Sequence, residues 1–317
     1  MMKRFSRITT TQIARICGVS QGTVDRALHN RGGIRPETRE KILAVAREYD
    51  YVPQVRGGAA NDRSMLIGVV LFDLYNEFFS KLAMSLVNRA KAFGYSVIFL
   101  FSDKNLQSER SAVDYFNFIG VDGIVLFSVG SDDESYIRYL HSLTKPLVLI
   151  GNRISDLTYI GIDDYRAMYD LTCRMLSEIR TGEIVYFAPI LKKELHRTNA
   201  QLLRVQGFLQ AVTDHRRMYR IAYDEAELAG DAAGIICATD YYVLKALRKL
   251  GSGWNKSIAG FDNISLLKDI GWNIRTVEYS TDRIAAACIH YILGRKYEKV
   301  IPYSIVFSQT EPPAGAR

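Results

Sequence analysis

The sequence predicts a small all-α helix-turn-helix head followed by an α/β body of two doubly wound parallel-sheet subdomains. Three observations predict this. The charge is split: residues 1–60 hold 11 Lys/Arg against 5 Asp/Glu, a net of +6, while the other 257 of the 317 residues carry +1. Residues 8–52 place apolar side chains at helical spacing, punctuated by glycines. From residue 64 onward, short apolar runs alternate with helical stretches, the pattern of parallel, doubly wound sheets. The expected boundaries are 1–53 for the head, 54–63 for a linker, 64–310 for the body and 311–317 for a tail.

Composition excludes several classes. A chain that is 48% hydrophobic has material for real cores, so disorder does not fit. Cys17, Cys173, Cys237 and Cys288 are too far apart for a CxxC zinc or redox pair, and they read as reduced thiols. No apolar run approaches 18 residues, and the N-terminal stretch lacks the apolar segment of a secretory signal. A cytoplasmic location without membrane contact is the expectation.

In the head, Ile13, Ile16 and Cys17 recur at helical spacing, with Ala14 beside them. Gly18 ends that helix, and Ser20 is a good N-cap for a second. The second helix turns Val24, Ala27 and Leu28 inward and leaves Gln21, Gly22, Asp25, Arg26 and His29 outward. Pro36 suits the first turn of a third helix, whose apolar face is Ile42, Val45 and Ala46. A helix presented this way enters the major groove by its N-terminal end, where an arginine can pair bidentately with guanine. Gln21 and Arg26 are therefore the candidate base readers, and Thr11, Thr23 and Thr38 the candidate phosphate contacts. Gly18-Val19-Ser20-Gln21-Gly22 also matches the GxSxG hydrolase elbow. That elbow needs a strand before the serine, whereas a helix precedes it here, so Ser20 reads as a cap.

In the body, strands are expected at Met65–Phe72, Tyr95–Phe101, Gly123–Phe127, Leu147–Ile150, Ile184–Phe187, Met218–Ala222, Gly234–Cys237 and Ser257–Ala259. Helices are expected at Phe79–Phe93, Glu109–Ile119, Glu134–Ser142, Ala167–Ile179, Leu202–Val212, Tyr241–Leu250 and Thr281–Leu293. So many strands exceed one such sheet, which implies two subdomains. Ligands of these folds bind outside the carboxyl ends of strands. There the sequence gathers Asp73 through Phe79, Asn152-Arg153, Arg204, Thr239-Asp240 and Asp262-Asn263. Aromatic faces cover the C–H faces of a polyol, and carboxylates, amides and arginines take its hydroxyls. No dinucleotide fingerprint, P-loop or metal-spaced histidine set is present, so no catalytic residue, metal or cofactor is expected.

The stretch TTTQIARICGVSQGTVDRALHNRGGIRPETREKILAVAREYDYVP resembles the DNA-binding head of the LacI/GalR (lactose-repressor) family. The match is carried by I-A at 13–14, GVS at 18–20, TV at 23–24, R-A-L at 26–28, P-E-T-R at 36–39 and Y-V-P at 51–53. The body adds D-x-x-N-x-F-F at 73–79, V-D-G-I at 121–124, D-D at 163–164, R-x-x-G-F at 204–208, T-D at 239–240 and G-F-D-N at 260–263. The resemblance implies a transcription regulator with a periplasmic-binding-protein-like core. It would act as a homodimer on double-stranded operator DNA, with repression as the usual sign. DNA contacts would come from Thr11, Ser20, Gln21, Gly22, Thr23, Arg26, His29 and Thr38, with Val55 as the minor-groove wedge. A small sugar effector, a pentose or hexose, would be lined by Asn76, Phe78, Phe79, Asn152, Arg153, Arg204, Asp240 and Asp262, with Tyr279 where the family often has Gln. Three departures stand out. Asp25 replaces a common Ser, the linker Gln54 to Ala60 has Gly57-Gly58 and no Leu, and residues 221–235 leave room for two helical turns at most. They motivate one alternative, a cytosolic sugar-binding module with weak DNA binding.

Overall fold

The structure is a computed structural model describing residues 8–28, 32–49, 63–129, 133–192, 199–228, 231–251, 253–269 and 274–308. It divides into two compact units, Met1–Asp62 and Arg63–Arg317.

The described residues of the first unit form three helices, α1 (Thr10–Cys17), α2 (Gln21–Leu28) and α3 (Pro36–Glu48). Local chemistry fixes each end. Thr9 caps α1 through a reciprocal box with Gln12: Thr9 N–H donates to Gln12 Oε1 at 2.7 Å, and Gln12 N–H donates to Thr9 Oγ1 at 3.2 Å. Gly18 ends α1 in the left-handed conformation (φ 70°, ψ 35°), which costs glycine little. Ser20 Oγ then accepts the Thr23 N–H at 3.2 Å, so Ser20 serves as a helix cap between two helices. Ile13, Ala14, Cys17, Val24, Ala27, Ile42 and Ala46 form the core. Ile16 departs from expectation, with 47% of its surface exposed. At 100° per residue the stripe Ile13-Ala14-Cys17 centres away from it.

The second unit holds two sheets. The first contains β1 (Leu66–Leu71), β2 (Ser96–Phe101), β3 (Gly123–Leu126), β4 (Leu147–Leu149) and β5 (Thr158–Tyr159), all parallel, in the order β2-β1-β3-β4-β5. Helices α4 (Glu77–Lys91), α5 (Leu106–Ile119) and α6 (Glu134–His141) alternate with these strands. After β5 the chain forms α7 (Asp164–Glu178) and a second sheet. That sheet comprises β6 (Ile184–Phe187), β7 (Tyr219–Ala222), β8 (Gly234–Cys237), β9 (Ser257–Phe261), β10 (Arg275–Tyr279) and β11 (Tyr303–Phe307), in the order β11-β10-β9-β8-β6-β7. Its helices include α8 (Asn199–Asp214), α9 (Asp240–Leu250) and the short α10 (Leu266–Asp269). The last helix, α11 (Thr281–Ile292), returns to the first sheet, packing on α4, β3 and β4, while α7 packs on β9, β10 and β11. The chain therefore crosses between lobes three times: after β5, after β10 and after α11. The first and last crossings meet at a parallel bridge between Gly161 and Val300.

Three strands go beyond those expected from the sequence. β5 has two residues, β10 is interrupted by charge, and β11 is a half-buried edge strand, so each falls below the periodicity that reveals a strand. β11 also runs antiparallel to β10, so the second sheet is not purely parallel. Between β7 and β8 the chain makes one 3-10 turn, Glu225–Leu228. The sheet beneath stays covered because Leu228 joins Val185, Phe187, Ile235, Cys237 and the α9 side chains in one core. At the edge strand β7 and just beyond it, Met218, Tyr219 and Tyr223 face solvent.

Candidate functional site

Two surfaces carry the candidate residues. On the head, Thr11, Ser20, Gln21, Gly22 and Arg26 are exposed, whereas Thr23 and Thr38 are half-buried. Gln21 is not idle: its Nε2 donates to Thr10 Oγ1 at 3.0 Å, tying the start of α2 to α1. Thr23 Oγ1 shares a hydrogen bond with Ser20 Oγ at 2.9 Å. Arg26 projects from a helix whose opposite face, Val24 and Ala27, is buried. His29, Val55 and the Gly57-Gly58 linker lie outside the described residues.

The second surface is a cleft of about 360 Å³ at the carboxyl ends of strands from both sheets. Its aromatic floor is built by sequence-adjacent elements. Phe72 follows β1, Phe79 lies in the first turn of α4, and Phe127 follows β3. Their rings meet edge-to-face, with centroids 4.6 Å apart for Phe72–Phe127 and 4.9 Å for Phe79–Phe127. Asn76 caps α4 by accepting the Phe78 N–H at 3.0 Å, which sets the angle at which Phe78 and Phe79 enter the cleft.

Arg204 stands at the centre of the polar wall. Gly207, one turn further along α8, allows that position: a Cβ there would lie 2.2 Å from the Tyr165 carbonyl of α7, so only glycine lets the helices approach this closely. Arg204 Nε donates to Asp164 Oδ1 at 2.8 Å and Nη1 to the Ala238 carbonyl at 2.9 Å. Nη2 lies 3.6 Å from Asp262 Oδ1, and the guanidinium sits 3.6 Å from the centroid of the Phe261 ring. Burial alone would make this cation easier to deprotonate, but Asp164 and Asp262 more than reverse that and raise its pKa.

Asp262 is the other pole. Its φ of 104° lies in a region that L side chains rarely occupy, at the end of β9. Its N–H still bonds the Val277 carbonyl at 3.0 Å, and Tyr279 Oη donates to its Oδ1 at 2.8 Å. Burial pushes its pKa up to about 6, with Arg204 and the Tyr279 hydrogen bond opposing.

Of the nine predicted effector residues, Asn76, Phe78, Phe79, Arg204, Asp262 and Tyr279 line the cleft. Three do not. Asp240 is fully buried behind the wall, where it accepts from Thr276 Oγ1 at 2.9 Å and Ile264 N–H at 3.1 Å and so clamps β9 to β10. Burial, reinforced by the Asp262 charge, holds its carboxyl well above the usual range. Asn152 is also buried and braces the rim. Its Nδ2 donates to the Ser128 carbonyl, and its Oδ1 accepts Asn199 N–H at 2.6 Å from the other lobe. Arg153 stacks on Tyr159 at 4.6 Å and donates to the Ile162 carbonyl at 3.4 Å, so it supports the first crossing. All three follow strand ends, as lining residues do, but their short reach or backbone partners turn them away.

The structure adds Lys104, Tyr159, Asp164, Gln201 and Tyr241 to the lining, and Asp73, from the stretch gathered by sequence, joins them. Asp164 had a signal, the acidic pair at the start of a helix: Asp163 caps Arg166 N–H at 2.9 Å, which leaves its neighbour to face Arg204. Tyr159 had none, because its strand was not recognisable. No group of three or more His, Cys, Asp or Glu that could hold a metal occurs among the described residues. No helix among them is long and apolar enough to cross a membrane.

The family comparisons fit this architecture. Residues 9–54 match the model described as bacterial regulatory proteins, lacI family, and residues 64–227 match that of periplasmic binding proteins and the sugar binding domain of the LacI family. The chain belongs to the LacI family. The second match, more than half of the chain, ends inside the 3-10 turn Glu225–Leu228. Catabolite control protein A of Priestia megaterium is 26% identical over 68% of this chain and 64% of its own length. The chain thus aligns with under two thirds of that relative. Among solved structures, a LacI-family transcriptional regulator from Silicibacter pomeroyi aligns with a TM-score of 0.70 at 20% identity, covering 95% of this chain and 98% of that one. The lac repressor dimer bound to operator and an anti-inducer aligns with a TM-score of 0.65 at 20% identity, covering 95% and 98%. These structural likenesses speak for the fold.

Proposed function

We propose that this LacI-family chain is a sequence-specific DNA-binding transcription regulator, acting as a repressor. A small sugar in the cleft controls its hold on a double-stranded operator. As a homodimer it presents two heads to a pseudo-palindromic site, because the two-fold axis of the protein mirrors that of the site. The sugar acts by binding one arrangement of the lobes better than the other, since a ligand shifts an equilibrium only by differential affinity.

The observation that carries the effector reading is Arg204 held between Asp164 and Asp262 beside an aromatic floor. Two of the five guanidinium N–H groups are spent on Asp164 and Ala238, which leaves others for a ligand oxygen. Asp262 supplies an acceptor, and Phe78 and Phe79 supply faces for C–H groups. Three carboxylates (Asp73, Asp164, Asp262) outnumber two cations (Lys104, Arg204) in the lining, which favours an uncharged pentose or hexose over a phosphorylated one. No cofactor or metal enters the proposal.

A thermal-shift panel of free pentoses and hexoses on the full chain tests it. A sugar at about 100 times its Kd adds about 2.7 kcal/mol of stability and raises the melting temperature. Asp262→Ala should remove that rise. A panel in which no sugar moves the transition would contradict the effector assignment.

A further inference from the structure

We infer that Tyr279 sets the size of the effector, closing the cleft against a second hollow and so confining the ligand to one sugar ring. The inference rests on the sugar reading above and names the size class of that ligand.

A hollow of about 220 Å³ lies against the cleft. Phe78, Asp262 and Tyr279 line both spaces, so these three side chains are the partition between them. Two are fixed by their surroundings. Asp262 is held by its backbone bond to Val277, and Phe78 packs edge-on against Phe79 at 5.3 Å. Tyr279 fills the gap and is secured at both ends. Its ring leans on Phe78 and Phe261, with centroids 5.7 and 6.0 Å away, and its hydroxyl is anchored on Asp262 at 2.8 Å. A side chain held by both its aromatic body and its polar tip makes a wall rather than a swinging gate.

The space behind the wall has the chemistry of a sugar subsite. It is lined by Lys81, Asn263, Glu278, Ser280 and Thr281, which together offer donors and acceptors. Asn263 is buried, and its amide Nδ2 donates to Glu278 Oε1 at 2.7 Å. Its Oδ1 is buried without a hydrogen-bond partner among the described residues. Shortening Tyr279 would join this polar hollow to the cleft and give a second ring a place to sit.

Calorimetric titration of the full chain tests the wall. The probes are ribose, xylose, glucose, galactose and fructose, with cellobiose, maltose, lactose and sucrose as two-ring counterparts. The wild-type chain should bind at least one single-ring sugar and none of the two-ring sugars. Tyr279→Ala should bind a two-ring sugar at least about tenfold more tightly than wild type does, since relieving one steric exclusion is typically worth that or more. Tyr279→Phe should bind its single-ring sugar more weakly, because Asp262 loses the hydroxyl that orients it, yet still exclude the larger ones, because the ring remains. If the alanine variant does not fold, as judged by its melting transition, Tyr279→Leu removes the ring while keeping apolar bulk and is read the same way. Wild-type binding of two-ring sugars as tight as of single-ring ones, or a folded truncation with no gain, overturns the wall and leaves the sugar reading standing. A wild-type chain that binds neither class overturns both.

Discussion

The head and the cleft solve opposite problems. On the head, the candidate reading groups Thr11, Gln21, Gly22 and Arg26 are exposed, and the three helices are held by a separate set of small and aliphatic side chains. In the cleft, Arg204, Asp164 and Asp262 are buried, bonded to one another and part of the packing between α7, α8 and β9. Binding and folding are therefore separable at Arg26 on the head, while Gln21, bonded to Thr10, serves both, and in the cleft the two are fused. A polyanion is met at a surface, where charge acts through solvent, whereas an uncharged sugar must be enclosed to be distinguished from water.

The largest effect that would break this comparison is Arg204→Ala. It leaves Asp164 and Asp262 buried without their cation, and removing one partner of a buried pair costs about 3–5 kcal/mol. Urea unfolding should show a loss of that order together with loss of the sugar response. A stable variant that merely fails to bind would show that the cleft, like the head, keeps function apart from fold.

Next comes the proton on Asp262. With a folded pKa near 6 against about 3.9 when unfolded, the folded state binds the extra proton between those values. Its contribution to stability is complete below about pH 4 and is lost as pH rises through about 6. Sugar affinity should run the other way. The ionised carboxylate accepts two hydroxyl donors, so affinity should weaken as pH falls through about 6, and Asp262→Asn should flatten the profile. A wild-type profile that is level from pH 5 to 7 would remove Asp262 from ligand contact.

A third prediction concerns the head. Arg26→Ala should cost about 1–3 kcal/mol of operator affinity and relax base choice at one position, with stability within about 0.5 kcal/mol of wild type. Equal loss on operator and random duplex would reassign Arg26 to phosphate. The smallest effect is Thr9→Ala, which deletes the capping box and should cost about 1 kcal/mol in the unfolding of the head, with no change in sugar affinity.

What was legible in the sequence follows the same division. The head could be read closely because its signals are local: Gly18 at a left-handed C-cap, Ser20 at an N-cap and Pro36 opening α3. Ile16 misled only because an eight-residue helix shows the apolar stripe too briefly to fix its centre. In the body, the longer strands and helices were visible, and so were the lining residues that also shape their elements, such as Asn76 at a cap and Phe78 and Phe79 behind it. The failures came where a role depends on which way a side chain turns after a strand ends. Asp240 and Asp262 occupy similar places, yet one clamps β9 to β10 and the other faces the cleft, a difference set by the rare φ of Asp262. Nothing local announces that angle. Asp164 escaped for a related reason, since its partner Arg204 lies 40 residues away and only the fold brings them together.

On this reading one chain couples DNA reading to sugar binding. Its most direct test is selection by the purified full chain from a random duplex pool, repeated at two salt concentrations and with the sugar that raises its melting temperature. A palindromic consensus that survives the higher salt, with retention that changes when the sugar is added, is the expected result. Sequence-neutral retention that falls steeply with salt and ignores the sugar would contradict it.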